Sequence, residues 1–293
     1  MQSYATRQAH AATADFVRRR SLLRYPSMFF TLEHKRAANA AYAYFRMADD
    51  LVDEEHVTLE QFRTWREQSR QPLEKQTNPF LIAWADVRQH HKLDPVYEQA
   101  VLDGLELDIA HHRYETLDEL KGFCYSVGTA PLLLAMSIIG FRPGVTFEQA
   151  KPYMENMGIA MQLTDIIRDV GDDLSLGRIY LPKSELAAFG LTFDDIEKKR
   201  YDHRFKGFMQ HFTQIARGYY SAGWPMLDLF ANSFRLAGGF GLVISRALLD
   251  EVESREFDVF THRIEIPRLK IFWLLATKWP AIYSPKLADR YFR

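Results

Sequence analysis

The chain has 293 residues, of which 47% are hydrophobic and 26% are charged, and 37 basic against 38 acidic side chains give a formal charge of −1. This amount of apolar material supports a large core and excludes a wholly disordered chain. The near-neutral balance lacks the basic excess of nucleic-acid-binding proteins, so we expect no nucleic-acid partner. The single cysteine, Cys124, cannot form an internal disulfide and fits a reducing compartment such as the cytoplasm. No CxxC, CxxH or HExxH spacing occurs, so zinc is not expected.

The sequence predicts neither export nor a membrane span. Its first residues lack the apolar core of a signal peptide. No run approaches the roughly 18 apolar residues that cross a bilayer, and the longest apolar runs are residues 131–140 and 236–244. We therefore expect a cytoplasmic protein whose membrane contact is peripheral, through an apolar face in residues 236–244 or 272–283.

Helical periodicity dominates the chain. Apolar residues spaced at i, i+3, i+4 and i+7 predict a helix over residues 36–53. The same pattern predicts helices over residues 98–114, 116–124, 147–172, 204–228 and 236–256, and a last one from residue 272 to Pro280. Glycine and proline predict the turns between them, at residues 76–79, 141–144, 177, 190 and near 267. Alternation typical of strands is confined to short pieces such as residues 261–266. We predict an all-α fold with a single domain over residues 1–293, in which residues 1–14 are flexible.

Two segments carry aspartates whose spacing stacks them on one face of a helix. Asp49 and Asp53 are four residues apart, and Asp165, Asp169 and Asp173 follow at successive four-residue steps. Like charges so placed cost a helix roughly 0.2–0.5 kcal/mol per pair. Apolar residues flank both rows, so a compensating cation is expected, and Mg²⁺ prefers carboxylate, phosphate and water oxygens. Two facing rows would hold a cluster of such ions, with diphosphate as the remaining ligand.

The same patterns also have structural interpretations. A single DxxxD row in a helix is most often a solvated face, but two rows embedded among apolar residues disfavour that interpretation. The adjacent pairs His90-His91 and His111-His112 point to different helix faces, so we expect surface or core-edge positions rather than metal ligands. Aromatic residues are core by default, although in a helix bundle they can also line an apolar tunnel or stabilise a carbocation. Those to which both interpretations apply are Phe29, Phe30, Tyr42, Tyr44, Phe45, Phe123 and Tyr125.

These segments resemble the aspartate motifs of the squalene/phytoene synthase family of head-to-head prenyl transferases. Residues 160–182, AMQLTDIIRDVGDDLSLGRIYLP, are similar to the second motif and its trailing GRIYLP. Residues 41–54, AYAYFRMADDLVDE, are similar to the first motif. Residues 103–125, 249–253 and 257–263 complete the family's order, so the resemblance runs from about residue 15 to residue 272. The phytoene synthase branch is the most similar.

The resemblance implies an isoprenoid-synthase helical bundle in which two prenyl diphosphates meet in a central cavity. It assigns metal ligands to both rows, with about two or three Mg²⁺ ions and Mn²⁺ as an alternative. Asp49 and Asp53 hold metal on one helix and Asp169 and Asp173 on the opposite one, and these four act in catalysis. The resemblance further implies that Gln162 and Asp165 contact metal or diphosphate and that Arg46, Arg168 and Arg178 bind diphosphate. It places Tyr42 and Tyr180 near the reacting carbons. Substrate binding is implied for Tyr125 and for Ser21 or Ser27.

The implied reaction joins two geranylgeranyl diphosphates into phytoene through a cyclopropyl diphosphate. The same reaction on farnesyl diphosphate, giving dehydrosqualene or squalene, is an alternative, and only squalene formation needs NADPH. Asp165 stands where the family usually has asparagine, and Ser245 stands where tyrosine is common. These departures leave open a single-substrate terpene synthase of the same fold. A non-catalytic lipid-binding subunit is the third interpretation, and the intact motifs disfavour it.

Overall fold

The computed structural model describes residues 3–20, 30–53 and 57–292, apart from the side chains of Asp53, Asn232 and Ser233. These residues form α-helices joined by short connections, and the all-α prediction is confirmed. The helices are α1 (Tyr4–Arg20), α2 (Leu32–Asp53), α3 (Leu59–Ser69), α4 (Pro79–His91), α5 (Pro95–Ile109), α6 (Leu117–Cys124), α7 (Ala130–Ile139), α8 (Phe147–Ser175), α9 (Lys183–Ala188), α10 (Phe193–Glu197), α11 (His203–Gly223), α12 (Asn232–Ser254), α13 (Arg268–Tyr283) and α14 (Pro285–Phe292).

Residues 261–266, where strand-like alternation was noted, are irregular, and no strand occurs in residues 3–20, 30–53 or 57–292. The turn before them depends on Asp258, whose carboxylate accepts hydrogen bonds from the backbone amides of Phe260 and Thr261 at 3.1 and 3.0 Å. The last predicted helix was to end at Pro280, but α13 continues to Tyr283. Proline removes one backbone donor and need not end a helix that neighbouring segments support.

The predicted turns at glycine are present. Gly144, Gly177 and Gly190 have φ angles of 85°, 74° and 68°. Side chains with a Cβ rarely adopt this left-handed region, so glycine suits these positions. Gly144 lies just before α8, and Gly177 lies just after it. The two turns thus bound the 29-residue helix that carries the longer aspartate row.

The N-terminal segment differs from the expectation of flexibility over residues 1–14. From Tyr4 onward the chain forms α1, which packs against α2 and α4. Ala9, His10, Thr13 and Val17 are buried at helical spacing. His10 Nε2 lies 2.7 Å from Asp86 Oδ2 of α4, and both side chains are buried. The few large apolar side chains in this alanine-rich segment give only a weak sequence signal.

Helix α8 lies at the centre of the fold, against α7, α11 and α12. It packs most extensively against α11, in which Phe205, Phe208 and Phe212 are buried. On its other side, a π-helical turn over Tyr125–Thr129 joins α6 to α7. A Cβ on Gly158 of α8 would lie only 2.5 Å from Thr129 Cα in this turn. The contact between α8 and the π-helical turn therefore requires glycine at position 158. This contact sets the distance between α8 and the wall formed by α6 and α7.

The segment Leu117–Ile139, which contains α6, the π-turn and α7, is long and apolar enough to cross a membrane by length and composition. The prediction that no such segment exists is therefore wrong in terms of composition. Half of its most apolar stretch is buried inside the protein, and buried core helices of soluble proteins often have the same length and composition. Phe123, Val127 and Pro131 from this segment line an internal cavity. Its apolar character is thus used within the fold.

We predict that Gly158→Ala lowers the melting temperature because the added methyl group overlaps the backbone at Thr129. Overpacking of this kind costs about 1–3 kcal/mol, and each kcal/mol corresponds to about 2–4 °C in a chain of this size class. The matched control is Gly218→Ala in α11, where an added Cβ meets nothing within 4 Å. Since alanine is the better helix former, this control should keep or raise the melting temperature. An equal rise in both variants, measured by circular dichroism, would contradict the packing argument.

Candidate active site in the central cavity

A cavity of about 740 Å³ lies between α2, α5, α7 and α8. This volume is within the range of about 300–1,000 Å³ that is typical of small-molecule sites. Its apolar wall includes Ala41, Leu105, Leu134, Ile138 and Phe234. Its polar lining consists of Tyr42, Arg46, Asp49, Asp108, Gln162, Asp165, Asp169, Asp173, Arg178 and Tyr180. The cavity thus combines a long apolar surface with a concentration of carboxylates.

The carboxylates lie towards the C-terminal ends of three helices. Asp49, Asp108 and Asp173 are in or next to the last turns of α2, α5 and α8, respectively. Two contacts join these ends: Tyr180 Oη donates to Asp108 Oδ1 at 2.7 Å, and Arg178 Nη2 donates to the Val52 carbonyl at 3.4 Å. The C-terminus of a helix carries partial negative charge, so each end adds to the field of its carboxylate. The arrangement strongly favours cations.

Arginines from the same helices partly neutralise each row. In α2, Arg46 contacts Asp49 at 3.0 Å and Asp50 at 2.7 Å. In α8, Arg168 contacts Asp165 at 3.0 Å, and its Nε donates to Asp169 Oδ1 at 2.6 Å. Because guanidinium pairs well with both carboxylate and phosphate oxygens, these arginines can exchange one partner for the other.

The carboxyl group of Asp173 in α8 has a strongly raised pKa. Burial, followed by the charge of Asp169, raises the pKa of Asp173 to about 8 although Arg178 opposes the shift. Burial also raises the pKa of Asp165 to about 6, against the lowering effect of Arg168. The Asp165 side chain lies inside the protein, but about half of its surface is exposed to the cavity that it lines. The negative charge at this end of the cavity is therefore incompletely compensated by the protein's own cations.

Asp108 is a site residue that sequence analysis did not select. It accepts the Tyr180 hydrogen bond, and Tyr180 also stacks on Phe123 with ring centroids 5.1 Å apart. Burial and the nearby Asp108 raise the pKa of Tyr180, so its hydroxyl stays protonated. The signals in the sequence are two acids, Glu106 and Asp108, within the stretch LELDIA, and its place in the segment 103–125 that resembles the family. The function of Asp108 depends on a partner 72 positions away, which no local pattern reveals.

The cavity brings together most of the side chains selected from the sequence: Tyr42, Arg46, Asp49, Gln162, Asp165, Asp169, Asp173, Arg178 and Tyr180. Arg168 does not line it and contacts two of its aspartates. Ser21 and Ser27 lie outside the described residues, as does the side chain of Asp53.

Tyr125 was predicted to bind substrate, but it is not among the residues that line the cavity. Phe123, Val127 and Pro131 occupy the wall at four-residue steps, so Tyr125 lies on another face of the same segment. There it is close enough to Lys151 for that charge to act on its pKa, which burial raises. The position of Tyr125 therefore does not support its predicted role.

Ser245, one of the two departures from the family pattern, belongs to a polar cluster beside the cavity. The Tyr220 and Ser245 hydroxyl oxygens are 2.6 Å apart, and Tyr220 Oη is also 3.0 Å from Thr164 Oγ1. Tyr220 is fully buried, and Thr164 directly precedes Asp165. A tyrosine from α11 thus occupies the space next to the serine of α12.

The donor set suits a hard divalent cation. Among the described residues, no group of three or more His, Cys, Asp or Glu side chains forms a ready-made metal site. Mg²⁺ needs no such cage, because it usually takes one or two carboxylates and completes its octahedron with water and phosphate oxygens. Burial and the charge of Asp169 raise the pKa of Asp173, and a cation bound beside its carboxylate would favour the charged form. The cavity carboxylates therefore fit Mg²⁺ together with a phosphorylated ligand.

The all-helical bundle with its acidic, apolar-walled cavity agrees with the isoprenoid-synthase fold that the motifs implied, and solved squalene and dehydrosqualene synthase structures share this fold. Residues 23–270 match the family model for squalene/phytoene synthase. The chain therefore belongs to the squalene/phytoene synthase family of prenyl transferases, as the motifs indicated.

Proteins of related sequence are phytoene synthases. The phytoene synthase of Arthrospira platensis is 32% identical over 256 residues, which cover 82% of each chain. The chloroplastic phytoene synthase of Daucus carota is 30% identical over 250 residues, which cover 83% of this chain and 63% of that protein.

Solved structures with this fold are more distant in sequence. A dehydrosqualene synthase crystal structure aligns with a TM-score of 0.80 at 22% identity, over 92% of this chain and 95% of that one. A squalene synthase from Alicyclobacillus acidocaldarius aligns with a TM-score of 0.78 at 19% identity, over 87% and 97% of the two chains.

We predict that Asp173→Asn stabilises the metal-free protein at alkaline pH. Between its usual value of 3.8 and the folded value of about 8, the folded state of Asp173 binds more protons than the unfolded state. The stabilisation that comes from the protonated Asp173 carboxyl group is therefore fully present below pH 4. It is lost as the pH rises towards 8, because the carboxyl group must then ionise in a buried position. The variant should melt above the wild type at pH 8, by about 2 °C or more, and the difference should shrink towards pH 5.

The control for this experiment is Asp172→Asn, which changes the adjacent, half-exposed carboxylate that contacts Arg263 at 3.4 Å. Its melting temperature should follow the wild type across the pH range. Parallel pH profiles for wild type and Asp173→Asn, measured by differential scanning fluorimetry in the presence of a chelator, would contradict the assigned burial and repulsion at Asp173.

Proposed function

We propose that the chain condenses two molecules of geranylgeranyl diphosphate head to head, forming phytoene through a cyclopropyl diphosphate in a Mg²⁺-dependent reaction. The observation that carries the proposal is the shared cavity, in which Asp49 of α2, the aspartates of α8 and a long apolar wall meet. Diphosphate and divalent cations suit the rows, and prenyl chains suit the wall. The phytoene synthase relatives favour the twenty-carbon substrate.

Each part of the cavity has a proposed task. Asp49, Asp169 and Asp173 would hold Mg²⁺, which supplies charge neutralisation of the diphosphate leaving group so that the allylic C–O bond can ionise. Arg46 and Arg178 line the same region and would bind diphosphate oxygens. The apolar wall orients the two chains side by side and excludes water that would quench a carbocation.

Aromatic side chains near the carboxylates would stabilise the positive charge that develops on carbon. Phe45, Phe123 and Tyr180 line the cavity together with Tyr42, and their π faces attract cations. Tyr180 is held in place by Asp108 and by its stacking on Phe123. In the first half-reaction the double bond of one substrate attacks the allylic carbon of the other, with loss of diphosphate and a proton. In the second half-reaction the cyclopropane rearranges, with loss of the remaining diphosphate and a proton.

Incubation of the purified protein with geranylgeranyl or farnesyl diphosphate and Mg²⁺, followed by mass spectrometry of the hydrocarbon extract, tests the proposal. We expect phytoene from the first substrate, and loss of product when a chelator is added. Dehydrosqualene from the second substrate, or squalene when NADPH is present, would instead assign the shorter substrate. A monomeric terpene or alcohol would favour a single-substrate synthase. The proposal fails if neither substrate gives a 1–1′ linked product.

We predict that Asp49→Asn and Asp173→Asn each lower turnover by about 100-fold or more, because the loss of even one preorganised hydrogen-bond donor to a developing charge costs about 2.7–4 kcal/mol. Asp172→Asn, adjacent to Asp173 and outside the cavity lining, should keep turnover within a few-fold of wild type. Circular dichroism spectra should be unchanged in all three. A similar loss in Asp172→Asn would show that the effect is general to acidic residues near the end of α8.

A further inference from the structure

Helix α13 is apolar on both its inner and its outer face. Leu274, Ala281 and Ile282 are buried on the inner face, which packs against α12. The outer face, here called the aromatic face, exposes large side chains to solvent, with exposed fractions of 83% for Leu269, 70% for Phe272, 56% for Trp273, 52% for Trp279 and 45% for Tyr283. A helix that is apolar all round is normally covered on every side. The aromatic face therefore lacks a partner within the described part of the chain.

The residues of the aromatic face follow one stripe along the helix. Their positions, from 269 through 272, 273 and 279 to 283, recur at the three- and four-residue steps of a single helical face. Sixteen helical residues extend over about 24 Å. Tryptophan and tyrosine prefer the boundary between lipid and water, because their rings are apolar while their N–H and O–H groups can stay hydrated.

The charged residues of the segment that carries the aromatic face are all basic. Residues 266–288 contain Arg268, Lys270, Lys278 and Lys286 and no acidic residue, although the whole chain has a formal charge of −1. Arg268 and Lys286 are exposed, while Lys270 pairs with Glu251 at 2.8 Å. Lys278 lies over the rings of Trp273 and Tyr291 at 5.7 and 4.8 Å. Basic side chains beside exposed tryptophans complement the anionic headgroups of a bilayer.

The aromatic face lies next to a wall of the central cavity. Arg235 of α12 donates to the Ile282 carbonyl at 2.8 Å, and its guanidinium lies 5.2 Å from the Tyr283 ring centroid. The preceding residue, Phe234, lines the cavity and contacts Phe30 with ring centroids 5.6 Å apart. One layer of α12 side chains thus separates the cavity from the base of the aromatic face.

We infer that the aromatic face of α13 is the surface by which the protein docks on an anionic lipid bilayer. A second copy of the chain is the less suitable occupant. A two-fold contact places the same patch on both subunits, so it would bring the exposed basic residues Arg268 and Lys286 of one copy towards the same basic patch of the other. Of the two membrane-contact segments considered from the sequence, residues 236–244 are mostly covered. Ile282 of α13 packs directly on Gly239 in that segment, so only the α13 segment is open to a bilayer.

Flotation of the full chain with phosphatidylcholine vesicles, with and without about one third phosphatidylglycerol, tests the inference. We expect binding to the anionic vesicles, weaker binding to pure phosphatidylcholine, and release at high salt because the headgroup attraction is screened. Tryptophan emission should shift to shorter wavelength on binding, since Trp273 and Trp279 would leave water.

The double variant Phe272→Glu with Trp273→Glu should weaken vesicle binding by about 10-fold or more, because it removes buried apolar area and adds repulsion from the headgroups. The matched control is Val96→Glu, which changes an exposed apolar residue at the start of α5. This control should bind as the wild type does, with both variants checked for fold by circular dichroism.

Three outcomes would overturn the inference: no binding of the wild type to anionic vesicles, an equal loss in Val96→Glu, or a lipid-free dimer that the double variant dissociates. The last outcome, measured by size-exclusion chromatography with light scattering, would assign the aromatic face to a second copy. Vesicle binding needs no prenyl substrate, so its result is independent of the coupling assay.

Discussion

Mutual repulsion of carboxylates inside a largely apolar cavity is the constraint on which the site depends. Asp49, Asp108 and Asp173 lie near the C-terminal ends of three helices, where the backbone already carries partial negative charge. Arg46 and Arg168 offset part of this charge, but each is drawn from the same helix as its partners and fills only some of their lone pairs. A bundle that keeps this arrangement is poised for divalent cations, which relieve the negative charge that the protein leaves uncompensated and can in turn bind phosphate oxygens.

Helix α8 lines the polar site with one face and packs into the apolar core with another. The aspartates at four-residue steps occupy one stripe, while Leu163 and Ile167, two positions before Asp165 and Asp169, are fully buried. The close contact at Gly158 fixes the distance between α8 and the π-turn. The same helix that packs the core therefore also sets the width of the cavity. A change in packing remote from the carboxylates would reach the site through this one element.

The parts of the site that were predictable from the sequence are those encoded by local spacing. The rows of α2 and α8 need only the period of a helix, so their positions on one face could be predicted. Asp108 could not be found in this way, because its importance comes from Tyr180, which approaches from a distant loop. Tyr125 does not line the cavity, whereas Phe123 and Val127 beside it in the sequence do. Helix α1 was missed because alanine-rich periodicity resembles weak helix or coil.

Hydropathy alone does not show which of two apolar segments of this chain exposes its apolar surface to solvent. Leu117–Ile139 satisfies the length and composition of a membrane span, yet half of its most apolar window is buried and it forms a cavity wall. Helix α13 is shorter and interrupted by Lys270 and Lys278, yet its large side chains face solvent. The free energy of transfer to lipid comes only from surface that water can reach before binding. The segment that is more apolar therefore has less to gain from a bilayer, and the exposed face of α13 has more.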